Sequence, residues 1–128
     1  MLTNSKLQSM IWTSRIAEAE PFYREVLGLT LRTKSDGALV FDVGGADLRV
    51  APIPSTTRGE HTVMGFGVDD VDATIASLRA RGVVFERFAG FPHAENGTVT
   101  SPDGARVAWF RDPDGNILSV VEFPAPGY

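Results

Sequence analysis

The segment FRDPDGNILSV, Phe110 to Val120, decides the fold. It reads as the end of a hydrophobic strand, a tight Asp-Pro-Asp-Gly turn and a second hydrophobic strand. Alternation sends Leu118 and Val120 to one face of that strand and Ser119 to the other. Working outward, the two strands are Arg106 to Arg111 and Ile117 to Phe123. A second turn of the same kind, Pro102-Asp103-Gly104, connects them to a strand at Gly97 to Ser101, and Val83 to Phe88 reads as a further strand.

Upstream, His61 to Val68 is a strand, and Val71 to Arg81 a helix that Asp69 or Asp70 can cap and Gly82 can end. Ile75 and Leu78 face its core side. The first half has the same order. Lys6 to Thr13 reads as a strand and Ala17 to Leu27 as a helix closed by Gly28. Pro21 is tolerated only in a first turn, which places the helix start near Glu18 to Glu20. Strands follow at Thr30 to Thr33, Ala38 to Val43 and Ala46 to Ala51, separated by Ser35-Asp36-Gly37 and Gly44-Gly45.

Strand, helix and a run of strands therefore occur twice. One module covers about residues 1–52 and the other about 61–123, with a Pro-rich connector at 52–60 and a loose tail at 124–128. Together they form one expected domain over 1–128. Each helix can cover only one face of its sheet. The expected solution is an α+β fold in which the two sheets curl around a shared cleft with the helices outside.

The chain has 128 residues, 43% of them hydrophobic and 22% charged, enough for a core without staples. Its formal net charge of -4 offers no basic excess for nucleic acid or anionic lipid. Cysteine is absent, which excludes disulfides, thiolate metal sites and a Cys nucleophile and fits a cytoplasmic location. The start, MLTNSKLQSM, lacks the apolar stretch of a signal peptide. No run approaches the roughly 18 apolar residues of a membrane span.

AEPFYREVLGLTL, VDDVDATIASLRARGV and FRDPDGNILSVVE, in this order, resemble the vicinal oxygen chelate superfamily. That group includes glyoxalase I, extradiol dioxygenases, methylmalonyl-CoA epimerase and the fosfomycin- and bleomycin-resistance proteins. The resemblance implies two βαβββ modules forming a curved mixed sheet around a cleft. It says less about activity, because this fold hosts several chemistries.

Metal-using members place His, Gln or Glu at four strand positions on the concave face. Carried over by motif, these fall on Gln8, on or beside Arg49, on Val63 and on Ser119. Gln8 can serve as a ligand. A guanidinium cannot. His61 lies two residues before Val63, and Glu122, three residues after Ser119, falls on the opposite face. The resemblance therefore implies a lost metal site, with no cofactor expected and a divalent metal as the alternative.

Alternation assigns Leu7, Ile11, Leu48, Val50, Met64, Phe66, Val68, Ala108, Phe110, Leu118 and Val120 to the helix side. The other side holds Gln8, Met10, Trp12, Asp47, Arg49, His61, Val63, Trp109, Ser119 and Val121. Aromatic walls with a few polar anchors suit a small-molecule cleft. Plain structural readings stand beside these: the tryptophans as filling between sheets, Arg49 paired with Asp47, His61 as an exposed residue at a strand start. As functional residues, Arg49 would hold a carboxylate or phosphate and His61 would be a candidate general base. The loop Gly90 to Asn96, with Phe91, His93 and Glu95, is either a lid or a hairpin connection.

Three functions compete. The first is a metal-free protein that binds a small, aromatic or anionic molecule through Gln8, Met10, Trp12, Arg49, His61, Val63, Trp109 and Ser119. The alternative is a divalent-metal-dependent lyase, isomerase or dioxygenase of the glyoxalase I type, with a rearranged site or one completed across a homodimer. The third is an interaction domain with no ligand. A homodimer is what the resemblance implies.

Overall fold

The computed structural model describes residues 1–124, so most of the expected tail lies outside the described residues. The chain divides into two compact units that meet at Thr57 and Arg58.

In the first unit, β1 (Gln8–Thr13), α1 (Ile16–Pro21), β2 (Thr30–Ser35), β3 (Ala38–Val43) and β4 (Ala46–Pro52) form a four-stranded mixed sheet with one helix. Its order is β1-β4-β3-β2, with β1 parallel to β4. Both hairpins close as expected. Asp36 and Gly37 take φ of 53° and 80°, and Gly44 and Gly45 take 57° and 90°. Positive φ at both central residues matches the twist of paired strands.

The first helix departs from expectation. It starts at Ile16, so Pro21 lies beyond the first turn. Pro21 has no N–H to give Ala17 O. The chain widens into a π turn over Phe22–Val26, where the Leu27 N–H donates to Phe22 O at 2.9 Å. Gly28, at φ 72°, ends it as the sequence predicts. The widened turn buries Tyr23, whose ring lies 6.0 Å from that of Phe41. Phe41 pairs with Leu48, and Val50 pairs with both Leu39 and Ile11. These fully buried residues form the helix side of the sheet. Leu7, assigned to that side, instead precedes β1 and is 87% exposed.

The second unit comprises β5 (Thr62–Gly67), α2 (Val71–Ala80), β6 (Val99–Thr100), β7 (Arg106–Arg111) and β8 (Ile117–Glu122), in the order β5-β8-β7-β6. Here β5 runs parallel to β8. Each half is thus a βαβββ module. Val83–Phe88 is not a strand: Phe85 forms an isolated bridge to Phe110, with the Glu86 N–H donating to Trp109 O at 2.8 Å. Met64, Phe66 and Val68, on the edge strand and just after it, are half-buried rather than core.

α2 packs on β7 and β8. Asp70 caps it by accepting from the Ala73 N–H at 3.0 Å, and Glu122 Oε1 accepts from the Val71 N–H at 2.9 Å. Arg106 of β7 forks onto Asp72 at 2.8 and 2.7 Å, and the Asn96 amide joins it at 2.7 Å. The Arg106 hydrogen bond, followed by that from Asn96, holds the Asp72 carboxyl below the ordinary carboxylate value. A depressed carboxyl stabilises the fold above its unfolded value, about 3.9, and loses that contribution as pH falls through its folded value. Asp72→Asn is therefore expected to melt below the unmodified chain at pH 7, with the gap closing toward pH 3. Thermal melts across that range check it; a constant gap contradicts it.

Candidate functional site

The Asp112-Pro113-Asp114-Gly115 turn is held by the Asp112 carboxylate. Asp112 Oδ1 accepts from the Asp114 and Asn116 N–H groups at 3.0 and 2.9 Å, and its Oδ2 accepts from Asn116 Nδ2 at 2.9 Å. Gly115, at φ 83°, returns its N–H to Asp112 O. β8 then starts in register, with Ser119 opposite Trp109 on β7 and Gly65 on β5.

Arg106 and Glu122 both reach α2, so residues of their parity face the helix. Ser119 and Trp109 face the other way. Ser119 is 7% exposed, and a Cβ on Gly65 would stand 2.6 Å from its Oγ. Gly65→Ala is expected to cost about 1 kcal/mol through overpacking. Ser119→Ala in the same chain should restore most of it, because the Ser119 Cβ lies 4.0 Å away. Urea titration of the single and double variants checks this; equal losses in both contradict it.

Trp109 is the centre of an aromatic cluster. Its ring centroid lies 5.5 Å from Phe88, 6.1 Å from His93 and 6.2 Å from Phe91. The loop that delivers these rings is firmly tied. His93 Nε2 accepts the Phe88 N–H at 2.9 Å, and its Nδ1 meets the Gly97 carbonyl at 2.7 Å, which requires a hydrogen on Nδ1. Arg87 donates to Ala94 O at 3.1 Å and to Glu95 O. The Ala94 N–H donates to Thr98 O at 2.7 Å. His93 is thus a brace with both ring nitrogens occupied, and Phe91 remains exposed at the rim. Sequence reasoning placed Phe88 on a strand and missed the cluster. The Phe-x-x-Phe-x-His spacing ahead of a lone Trp strand was its only signal.

β5 carries a bulge: Thr62 pairs with Ile117 and Met64 with Leu118, leaving Val63 as the extra residue. This breaks simple alternation, so counting by twos from Ser119's face does not carry through to His61. His61 lies exposed just before β5, and Val63 is exposed on it.

In the first unit, Gln8 pairs with Asp47, Met10 with Arg49 and Trp12 with Ala51. Gln8, Met10 and Trp12 are exposed, and Arg49 is half-buried. Asp47 is not the partner of Arg49. Lys6 Nζ approaches its Oδ2 at 3.5 Å and Arg32 Nε its Oδ1 at 3.2 Å. The latter contact lacks hydrogen-bond geometry, and Asp47 Oδ1 accepts no hydrogen bond. Arg32 reaches it because β2 bulges between Leu31 and Thr33.

A family model, the glyoxalase/bleomycin resistance protein/dioxygenase superfamily, matches residues 7–120. The chain belongs to this superfamily. No curated protein matches it. Lactoylglutathione lyase from Agrobacterium tumefaciens is 22% identical, with a TM-score of 0.74 over 98% of both chains. A superfamily member from Nocardioides is 21% identical, with a TM-score of 0.68 over 99% of this chain and 90% of that one. TnmS3, an antibiotic binding protein from a Streptomyces species, is 26% identical, with a TM-score of 0.67 over 96% of this chain and 98% of that one.

The superfamily's metal positions, carried over by motif, hold a poor donor set here. Gln8 offers a neutral oxygen. Arg49 is a permanent cation, Val63 is apolar, and Ser119 offers a hydroxyl packed over Gly65. Glu122, the nearest carboxylate on β8, is engaged with the N-terminus of α2. Among the described residues no three His, Asp or Glu side chains gather where they could hold a metal ion. These residues do not fit a divalent cation.

Among the described residues no helix is long and apolar enough to cross a membrane.

Proposed function

We propose that this chain binds a small, flat organic molecule without a resident divalent metal. The observation that carries the reading is the aromatic cluster around Trp109, built on the same sheet face as Ser119 and braced by a loop whose backbone and side chains are already bonded. Such rings offer stacking surface at low entropic cost. The kinship with TnmS3, itself described as an antibiotic binding protein, supports it.

Val63, Trp109 and Ser119 are the proposed contacts beside the aromatic cluster of the second unit, and Gln8, Met10, Trp12 and Arg49 are proposed contacts on the first unit's own sheet. His61 is the candidate base should turnover accompany binding. A cytoplasmic homodimer belongs to the same reading, and light scattering on the eluting peak tests the dimer.

The function is tested by thermal shift of chelator-treated protein against a panel of flat aromatic compounds, neutral and anionic. At least one compound is expected to raise the melting temperature equally before and after chelation. Trp109→Ala should weaken that compound at least tenfold, about 1.4 kcal/mol. Shifts that appear only after zinc, nickel, manganese or iron(II) is added would overturn the proposal in favour of a metal-dependent lyase, isomerase or dioxygenase.

A further inference from the structure

Charge on the first sheet, on the face away from α1, is unevenly balanced. Asp42 and Asp47 lie opposite each other on β3 and β4. Arg32 contacts both, at 2.9 and 3.2 Å, and Lys6 reaches Asp47 at 3.5 Å. Two carboxylates thus meet two cations. Arg49 stands in the next row, between Met10 on β1 and Val40 on β3. It is half-buried, and among the described residues it has neither an ion-pair nor a hydrogen-bond partner. Withdrawing a guanidinium from water without a counter-ion is costly, and nothing inside this unit offsets it.

On Arg49's side the sheet is buried at β3, where Ala38 and Val40 are 3% and 4% exposed, and open at β1, where Met10 and Trp12 are exposed. Ala51, two residues on along β4, shares Arg49's side and is half-buried. Trp12 pairs with Ala51 and leaves its side chain about half exposed, at 52%. A ring lying over Ala51 would have an indole at its edge and a guanidinium fork within one row.

We propose that Arg49 anchors the carboxylate of a planar aromatic acid whose ring rests over Ala51 beside Trp12. The fork of a guanidinium matches a carboxylate through two parallel hydrogen bonds, which an ammonium cannot reproduce. The missing counter-charge on this face is then supplied by the ligand. This deepens the binding reading above and rests on it.

The test is calorimetry on the full chain with two probes of equal shape, 1-naphthoate and 1-naphthamide. The acid is expected to bind at least tenfold more tightly than the amide. Arg49→Met should erase that preference, and Arg49→Lys, which keeps the charge and loses the fork, should retain only part of it. Melting curves establish that each variant is folded, and the lysine variant alone suffices if the methionine variant is not. Equal affinity for acid and amide in the unmodified chain removes the anion anchor while leaving small-molecule binding in place. A preference that survives Arg49→Met also overturns it. Binding of neither probe counts against both readings.

Discussion

Phe110→Ala is expected to cost about 3–5 kcal/mol of stability. Phe110 is completely buried, on the α2 side of β7. Its ring packs edge-on to Phe85 at 5.6 Å, and its backbone forms the one bridge that ties Phe85 to the sheet. Truncation removes the ring's burial and leaves a hole between a strand and a helix that are each held by further contacts. The hole cannot collapse cheaply, because Arg106 and Glu122 fix α2 against β7 and β8 from the same face. Urea unfolding followed by far-UV circular dichroism reads the loss. A change under about 1 kcal/mol would mean that this layer is not the core of the second unit.

Asp112→Ala is expected to cost about 3 kcal/mol, since each buried N–H left without an acceptor loses roughly 1–3 kcal/mol. Three donors converge on this carboxylate, two of them backbone groups of the turn itself, and the residue is only 6% exposed. Asp112→Asn keeps Oδ1 as an acceptor but sets one amide group against that of Asn116, so about half the loss is expected. The same titration, with amide exchange at Asp114 and Asn116, checks both. An alanine variant within about 0.5 kcal/mol of the parent would show that Pro113 and Gly115 alone hold the turn.

Much of the fold was legible because local chemistry and global pattern agreed. Asp70 and Gly82 bracket α2 as expected, and Asp36-Gly37 and Gly44-Gly45 adopt the positive φ that their hairpins require. The DPDGN turn set the register that places Ser119 opposite Trp109. Legibility failed where one residue broke a period. Pro21 was expected in a first turn, but the helix absorbed it by widening. The bulges at Arg32 and Val63 shift strand alternation, and no turn residue announces them.

The site was harder to read than the fold. Pairing Arg49 with Asp47 was reasonable from their two-residue spacing, yet the bulge in β2 gave Asp47 to Arg32. The aromatic loop was hidden because Phe88 looked like strand and His93 like a connector. Only the hydrogen bonds at His93, whose Nε2 accepts from Phe88 and whose Nδ1 donates to Gly97, show it bracing the rings around Trp109. By contrast, Glu122 was placed correctly by parity alone, and its capping of α2 explains why it does not serve Ser119's face.

The most direct measurement is elemental analysis of untagged protein incubated with nickel, zinc, manganese and iron(II) and then dialysed. We expect no metal to remain in stoichiometric amount, because Arg49, Val63 and Ser119 offer no adequate donor set. One ion per chain surviving dialysis would contradict metal-free binding and favour metal-dependent chemistry.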